Sequence, residues 1–157
     1  MPPDFEHLIR QHGARIRRIA RRYATGDAVD DLIQDIFVRL WRSYPSFRGD
    51  ARIETWIYRV ALNASMTYVK DSIRERARQS ALAANAPPDA AQPAGTSMAD
   101  ILESFLARLS DIDASILMMY LDGLGAEEMS SVLGIQANAI SVRITRLKQK
   151  FSDTYLP

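Results

Sequence analysis

Residues 129–150 read MSSVLGIQANAISVRITRLKQK, and the whole fold can be worked outward from them. The pattern predicts two short helices pinched at Leu133-Gly134-Ile135. Gly134 stands where the first should stop, because a residue without Cβ can take the left-handed conformation that closes a helix and turns the chain. In the second helix Ile140, Ile144, Leu147 and Phe151 recur at spacings of four, three and four, which makes one inward apolar stripe. Ser141, Val142, Thr145, Arg146 and Gln149 fall on the other side. Arg143, Arg146, Lys148 and Lys150 bring positive charge to residues 136–150, with no acidic residue in that segment to offset it. A glycine turn followed by a one-sided basic helix is the pattern of a helix-turn-helix whose second helix enters a DNA major groove. A basic, solvated helix in a small bundle is the plainer reading, and it leaves the coincidence of turn, stripe and charged face unexplained.

Composition narrows the rest. The chain has 157 residues, 47% of them hydrophobic and 25% charged, enough to bury a core in one ordinary domain or two small ones. A net charge of +1 says little about nucleic acid, but its distribution is uneven: in residues 98–128 only Arg108 opposes a series of acidic residues, and the basic helix follows directly. Without cysteine there is no disulfide framework and no thiolate metal site. His7 and His12, five apart, do not share a helix face, and both are expected to be incidental. No apolar run is long enough to span a bilayer, and MPPDFEHLIRQ lacks the apolar core of a signal peptide, so the expectation is a cytoplasmic protein with no membrane insertion.

Taken in order, a helix is predicted from Asp4 to about Ala24, with Phe5, Leu8, Ile9, Ile16, Ile19, Ala20 and Tyr23 inward and an arginine-rich outer face. Thr25-Gly26-Asp27 breaks it. A second helix starts at Ala28, where Asp30 and Asp31 favour the positive end of the helix dipole. Its pairs Leu32-Ile33, Ile36-Phe37 and Leu40-Trp41 predict a broad buried face. Asp31, Gln34, Asp35, Val38 and Arg42 then form an outward strip suited to a protein partner. Asp31 and Asp35 lie one turn apart, but no third carboxylate or histidine is near in sequence, so no metal site and no catalysis are expected.

Pro45 ends this helix, and a third is predicted from Ile53 to about Arg78. Ile53, Ile57, Val60, Ala61, Ala64 and Tyr68 supply its inner stripe. Trp56, Arg59, Asn63, Thr67 and Lys70 follow one another along a neighbouring ridge. Such a ridge offers single-stranded nucleic acid a stacking ring, base-edge partners and phosphate contacts. Equally, Trp56 caps the core while the polar residues face water. Residues 83–98, AANAPPDAAQPAGTSM, carry Pro87, Pro88 and Pro93 and almost nothing large and apolar, which predicts a flexible linker. Beyond it a helix is predicted from Met98 to about Leu109. Ser110-Asp111-Ile112-Asp113 then resembles a capping box, with Asp113 in the place of the usual Glu or Gln. The next helix turns Ile112, Ile116, Leu117 and Tyr120 inward and ends at Asp122-Gly123. The fold class is therefore all-α: modules at 1–82 and 99–157 on a tether, the second a helix-turn-helix. There is no repeat, no glycine-rich phosphate loop and no paired nucleophile and base.

Several motifs together resemble one family. DDLIQDIFVRLW at 30–41, FRGDARIETWIYRVALN at 47–63, LSDIDASILMMYLDGL at 109–124, EEMSSVLGI at 127–135 and AISVRITRLK at 139–148 resemble, in that order, the segments of a small bacterial RNA polymerase sigma factor of the extracytoplasmic-function (ECF) group. That group consists of sigma regions 2 and 4 alone. The resemblance implies a non-enzymatic factor, without a cofactor, whose partners are core RNA polymerase, promoter DNA and an anti-sigma factor. It implies core binding through Asp31, Gln34, Asp35, Val38 and Arg42. Capture of a melted minus-ten strand would fall to Phe47, Arg48, Trp56, Arg59, Asn63, Thr67 and Lys70. Duplex minus-thirty-five reading would fall to Ser141, Val142, Arg143, Thr145, Arg146, Lys148 and Gln149. Two positions depart from the family pattern. Thr67, Lys70 and Asp71 stand where an aspartate and an arginine pair are common, and Gly125 stands where a hydroxyl residue commonly starts the first helix of the reading motif. A regulator that binds duplex DNA without joining polymerase would leave the strip at 31–42 and the Trp56 ridge without a role. An adaptor that binds only proteins would leave the basic helix without one.

Overall fold

The computed structural model describes residues 3–80 and 97–156, and every element in them is helical. The chain forms two compact units, Met1–Ala86 and Pro87–Pro157. The segment 83–98 expected to be a linker lies outside the described residues except at its end, where the expectation is corrected. Ser97 caps a helix that Met98 begins, its hydroxyl accepting the Asp100 N–H at 3.1 Å.

The N-terminal unit holds α1 (Pro3–Tyr23), α2 (Ala28–Ser43), a 3-10 turn (Tyr44–Ser46) and α3 (Ile53–Ser80). The three helices pack against one another in every pairing. α1 contributes Phe5, Leu8, Ile16, Ile19 and Ala20, α2 contributes Leu32, Ile33, Ile36 and Leu40, and all are buried. Each fully buried Leu or Ile of this kind contributes about 1.5–3 kcal/mol. His12 is not incidental: it is buried among them, with the Arg15 guanidinium against its Nδ1.

One aromatic assignment needs correction, and the structure decides between two readings of another. Trp41, expected inside, is 41% exposed. At 3.6 residues per turn it lies about 140° around α2 from Ile36, at the margin of the buried face, with one edge of its ring against Phe5 at 5.2 Å. Trp56, read equally as a ridge residue or a cap on the core, is only 8% exposed and caps the core. Thr55, Trp56, Ile57 and Tyr58 are all buried, so the first turns of α3 have no outer face of the kind a single stripe implies. The cause is the connection from α2. Pro45 sits in the 3-10 turn, where the α-helix cannot continue, and the chain folds back so that Phe47 and Tyr44 cover the indole, at 4.9 and 6.2 Å between ring centres.

The C-terminal unit holds α4 (Met98–Ala107), α5 (Asp111–Leu121), α6 (Ala126–Leu133) and α7 (Ala137–Tyr155). α7 packs on both α5 and α6. Its stripe is as expected: Ile140 and Leu147 are buried, and Phe151 meets Phe105 of α4 edge-on at 5.3 Å. α6 ends at Gly134, whose φ of 71° is left-handed and whose N–H reaches the Ser130 carbonyl at 2.8 Å. A Cβ in that conformation would cost about 1–2 kcal/mol.

Both helix starts use half of a capping box. At α5, Ser110 accepts the Asp113 N–H at 3.2 Å, but the Asp113 carboxylate bonds elsewhere, which corrects the expected reciprocal box. At α6, Gly125 has no side chain to cap with, and its N–H donates to the Glu128 carboxylate at 2.8 Å, which keeps the other half. Ile112 and Tyr120, expected inward, are exposed at 43% and 36%; Ala114, Ser115, Met118 and Met119 join Ile116 in the core instead.

Candidate functional site

Each unit presents its own candidate surface. On α2, Asp31, Gln34, Asp35, Val38 and Arg42 are all exposed, as the strip predicted. Asp35 accepts from Arg39 Nε at 3.0 Å, an exposed pair one turn apart that fixes the carboxylate without removing it from water. The strip is less polar than its sequence implied, because exposed Val38 stands beside exposed Trp41. Trp41 is the residue that sequence reasoning missed here. The available signal was angular: the second member of each apolar pair lies farther from the centre of the buried face, and Phe37 is likewise only half-buried.

The α3 ridge divides. Asn63, Thr67 and Lys70 are exposed, Arg59 is half-buried and Trp56 is buried. Thr67 returns its hydroxyl to the Asn63 carbonyl at 3.0 Å. Arg48 is exposed beside half-buried Phe47. The ring of Phe47 lies 32° from the plane of Trp56. Phe47 is therefore the more accessible of the two rings, and the indole lies beneath it.

On α7, Ser141, Val142, Thr145, Arg146, Lys148 and Gln149 are exposed and Arg143 is half-buried. The cations are not equivalent. Arg143 Nη1 donates to Asp113 Oδ1 of α5 at 2.8 Å. Lys148 Nζ sits 4.6 Å from the centre of the Tyr120 ring. Arg146 and Lys150 have no ion-pair partner among the described residues. Thr145 bonds back to the Ser141 carbonyl at 3.1 Å, and Gln149 donates to Asp153 at 2.7 Å. One of the cations of the helix is thus paired, by Asp113 from outside, while Asp153 in the last turn binds neutral Gln149. The charges of residues 136–150 alone did not reveal this.

Among the described residues no cluster of three His, Asp or Glu side chains comes together to hold a metal, and no helix is long and apolar enough to cross a membrane.

Comparison with known proteins bears on what these surfaces serve. Residues 8–78 match the family model for sigma-70 region 2. The chain is 24% identical to the ECF RNA polymerase sigma-E factor of Haemophilus influenzae, over 98% of this chain and 88% of that protein. It is also 24% identical to the sigma-E factor of Escherichia coli K12, over 98% and 87%.

Over nearly its whole length the chain is similar to ECF sigma factors.

Two solved structures share the fold. The sigma factor RpoE of Bartonella quintana, solved with the anti-sigma factor NepR, superimposes with a TM-score of 0.77 at 18% identity, over 96% of this chain and 95% of that one. CnrH, solved with the cytosolic domain of CnrY, gives 0.63 at 24% identity, over 96% and 86%. The region 2 match spans most of α1, all of α2 and nearly all of α3, so the α2 strip and the Phe47–Trp56 pair both lie within it.

Proposed function

We propose that this chain is an ECF sigma factor that joins core RNA polymerase in the cytoplasm through the α2 strip and gives it promoter choice, with α7 reading duplex DNA and the start of α3 holding the separated strand. It is a recruiting and reading device, not an enzyme. The observation that carries the proposal is the match of residues 8–78 to sigma-70 region 2, with Asp31, Gln34, Asp35, Val38 and Arg42 all standing free of the core of that same region. An anti-sigma factor is the expected regulator, since the solved relatives RpoE and CnrH were each captured with a protein partner, named as an anti-sigma factor for RpoE.

For the strip, changing Gln34 and Asp35 together to Ala is expected to weaken association with core polymerase by about 1–2 kcal/mol, while thermal unfolding stays unchanged because both side chains are exposed. Binding of the double variant to immobilised core, measured beside the unaltered chain, checks this. Undiminished association would move the polymerase contact away from α2.

For α7, Arg146 is exposed, as are Val142 and Thr145, and it has no ion pair among the described residues to give up. Arg146→Ala is expected to cost about 1–3 kcal/mol against a duplex enriched from a random pool and to narrow its margin over a scrambled duplex. Lys148→Ala should weaken both duplexes alike, as loss of a backbone contact does. Equal weakening of both duplexes by Arg146→Ala would show that the helix sits on DNA in another rotation.

A further inference from the structure

The Asp113–Arg143 pair bridges two helices and has no part in closing either. Ser110 already caps α5, so the Asp113 carboxylate is not needed at the helix end, and it turns instead to Arg143. The two side chains are 27% and 41% exposed, and Asp113 is more covered than either acid of the pairs on α1 and α2. They line a cleft of about 420 Å³ whose other walls are Ala139, Val142, Arg146, Leu147 and Lys150. One carboxylate thus stands among three cations on the side of α7 proposed to meet DNA, and it engages only one of them. For Arg143 to take a DNA phosphate, it would have to abandon a charge-assisted bond and leave a half-buried carboxylate facing that phosphate.

We propose that Asp113 is a specificity-determining residue: it holds Arg143 out of the phosphate contacts, so that α7 binds duplexes with one cation fewer than its sequence offers and depends more on base reading by Arg146. This rests on α7 being the duplex-reading helix. Limiting sequence-independent attraction raises the ratio of specific to non-specific binding, since backbone contacts strengthen every site alike.

The test is fluorescence-anisotropy titration of the full chain against an enriched duplex and its scrambled counterpart, from 50 to 200 mM salt. Asp113→Asn is expected to steepen the slope of log K against log salt by about 0.9, so that affinity falls roughly 3.5-fold further across that range, and to shrink the preference for the enriched duplex. Adding Arg143→Gln to Asp113→Asn removes both charges and leaves neither unpaired, and it should return the slope to that of the unaltered chain. Thermal melts of each variant report folding separately. An unchanged or shallower slope for Asp113→Asn overturns the proposal. So does a double variant whose slope is shallower than that of the unaltered chain by about 0.9, because Arg143 would then be a phosphate contact after all. If the unaltered chain shows no salt-dependent duplex binding, the duplex-reading role of α7 falls, and this inference falls with it.

Discussion

Trp56→Ala should cost the N-terminal unit about 3–5 kcal/mol, the usual range for emptying a large aromatic from a core. The indole is 8% exposed and sits under Phe47 and Tyr44, so truncation removes the floor on which the 44–47 turn rests. The loss is a large share of what any small domain possesses. Urea unfolding followed by tryptophan emission measures it cleanly, because both tryptophans, Trp41 and Trp56, lie in the N-terminal unit, and Trp41 remains as the probe. A variant with an unaltered midpoint would return Trp56 to the open ridge its sequence spacing implied. If the midpoint falls as expected, failure of this variant to open a promoter says nothing about base stacking, and Phe47→Ala becomes the informative substitution.

Met129→Ala should be comparably severe in the C-terminal unit, at about 2–5 kcal/mol. Met129 is fully buried in α6, the helix that packs on α7. A unit of roughly 60 residues buries a smaller fraction of its surface than a large domain does, so its reserve is small and this one side chain can exhaust it. The expected result is partial loss of helical circular dichroism with the tryptophan transition of the other unit in place, together with loss of duplex binding. A variant that melts like the unaltered chain would show that α6 is held to α7 by other contacts.

These two residues mark what sequence reasoning reached and where it stopped. The helices were legible because their apolar spacings follow one period, and Gly134, Gly26 and Pro45 break those periods for reasons intrinsic to each residue. The buried stripe of α7 was legible in the same way. Trp56 was legible only as two equal alternatives, because periodicity describes one helix against one partner, whereas α3 packs on two helices and a folded-back turn covers the indole. Arg143 was not, because its partner lies 30 residues away and local charge counting cannot see across that distance. The outward residues of α2 were correctly separated from its core, but the apolar component contributed by Trp41 depended on where the edge of the buried face falls.

The central claim is that this chain gives core RNA polymerase a promoter preference, and run-off transcription tests it most directly. Core enzyme and fragmented genomic DNA are incubated with and without the chain, and the transcripts are mapped. Discrete new start sites that appear with the unaltered chain and weaken with the Gln34, Asp35 double variant are the predicted result. A transcript pattern identical with and without the chain, from core enzyme shown to be active with another sigma factor, would contradict it.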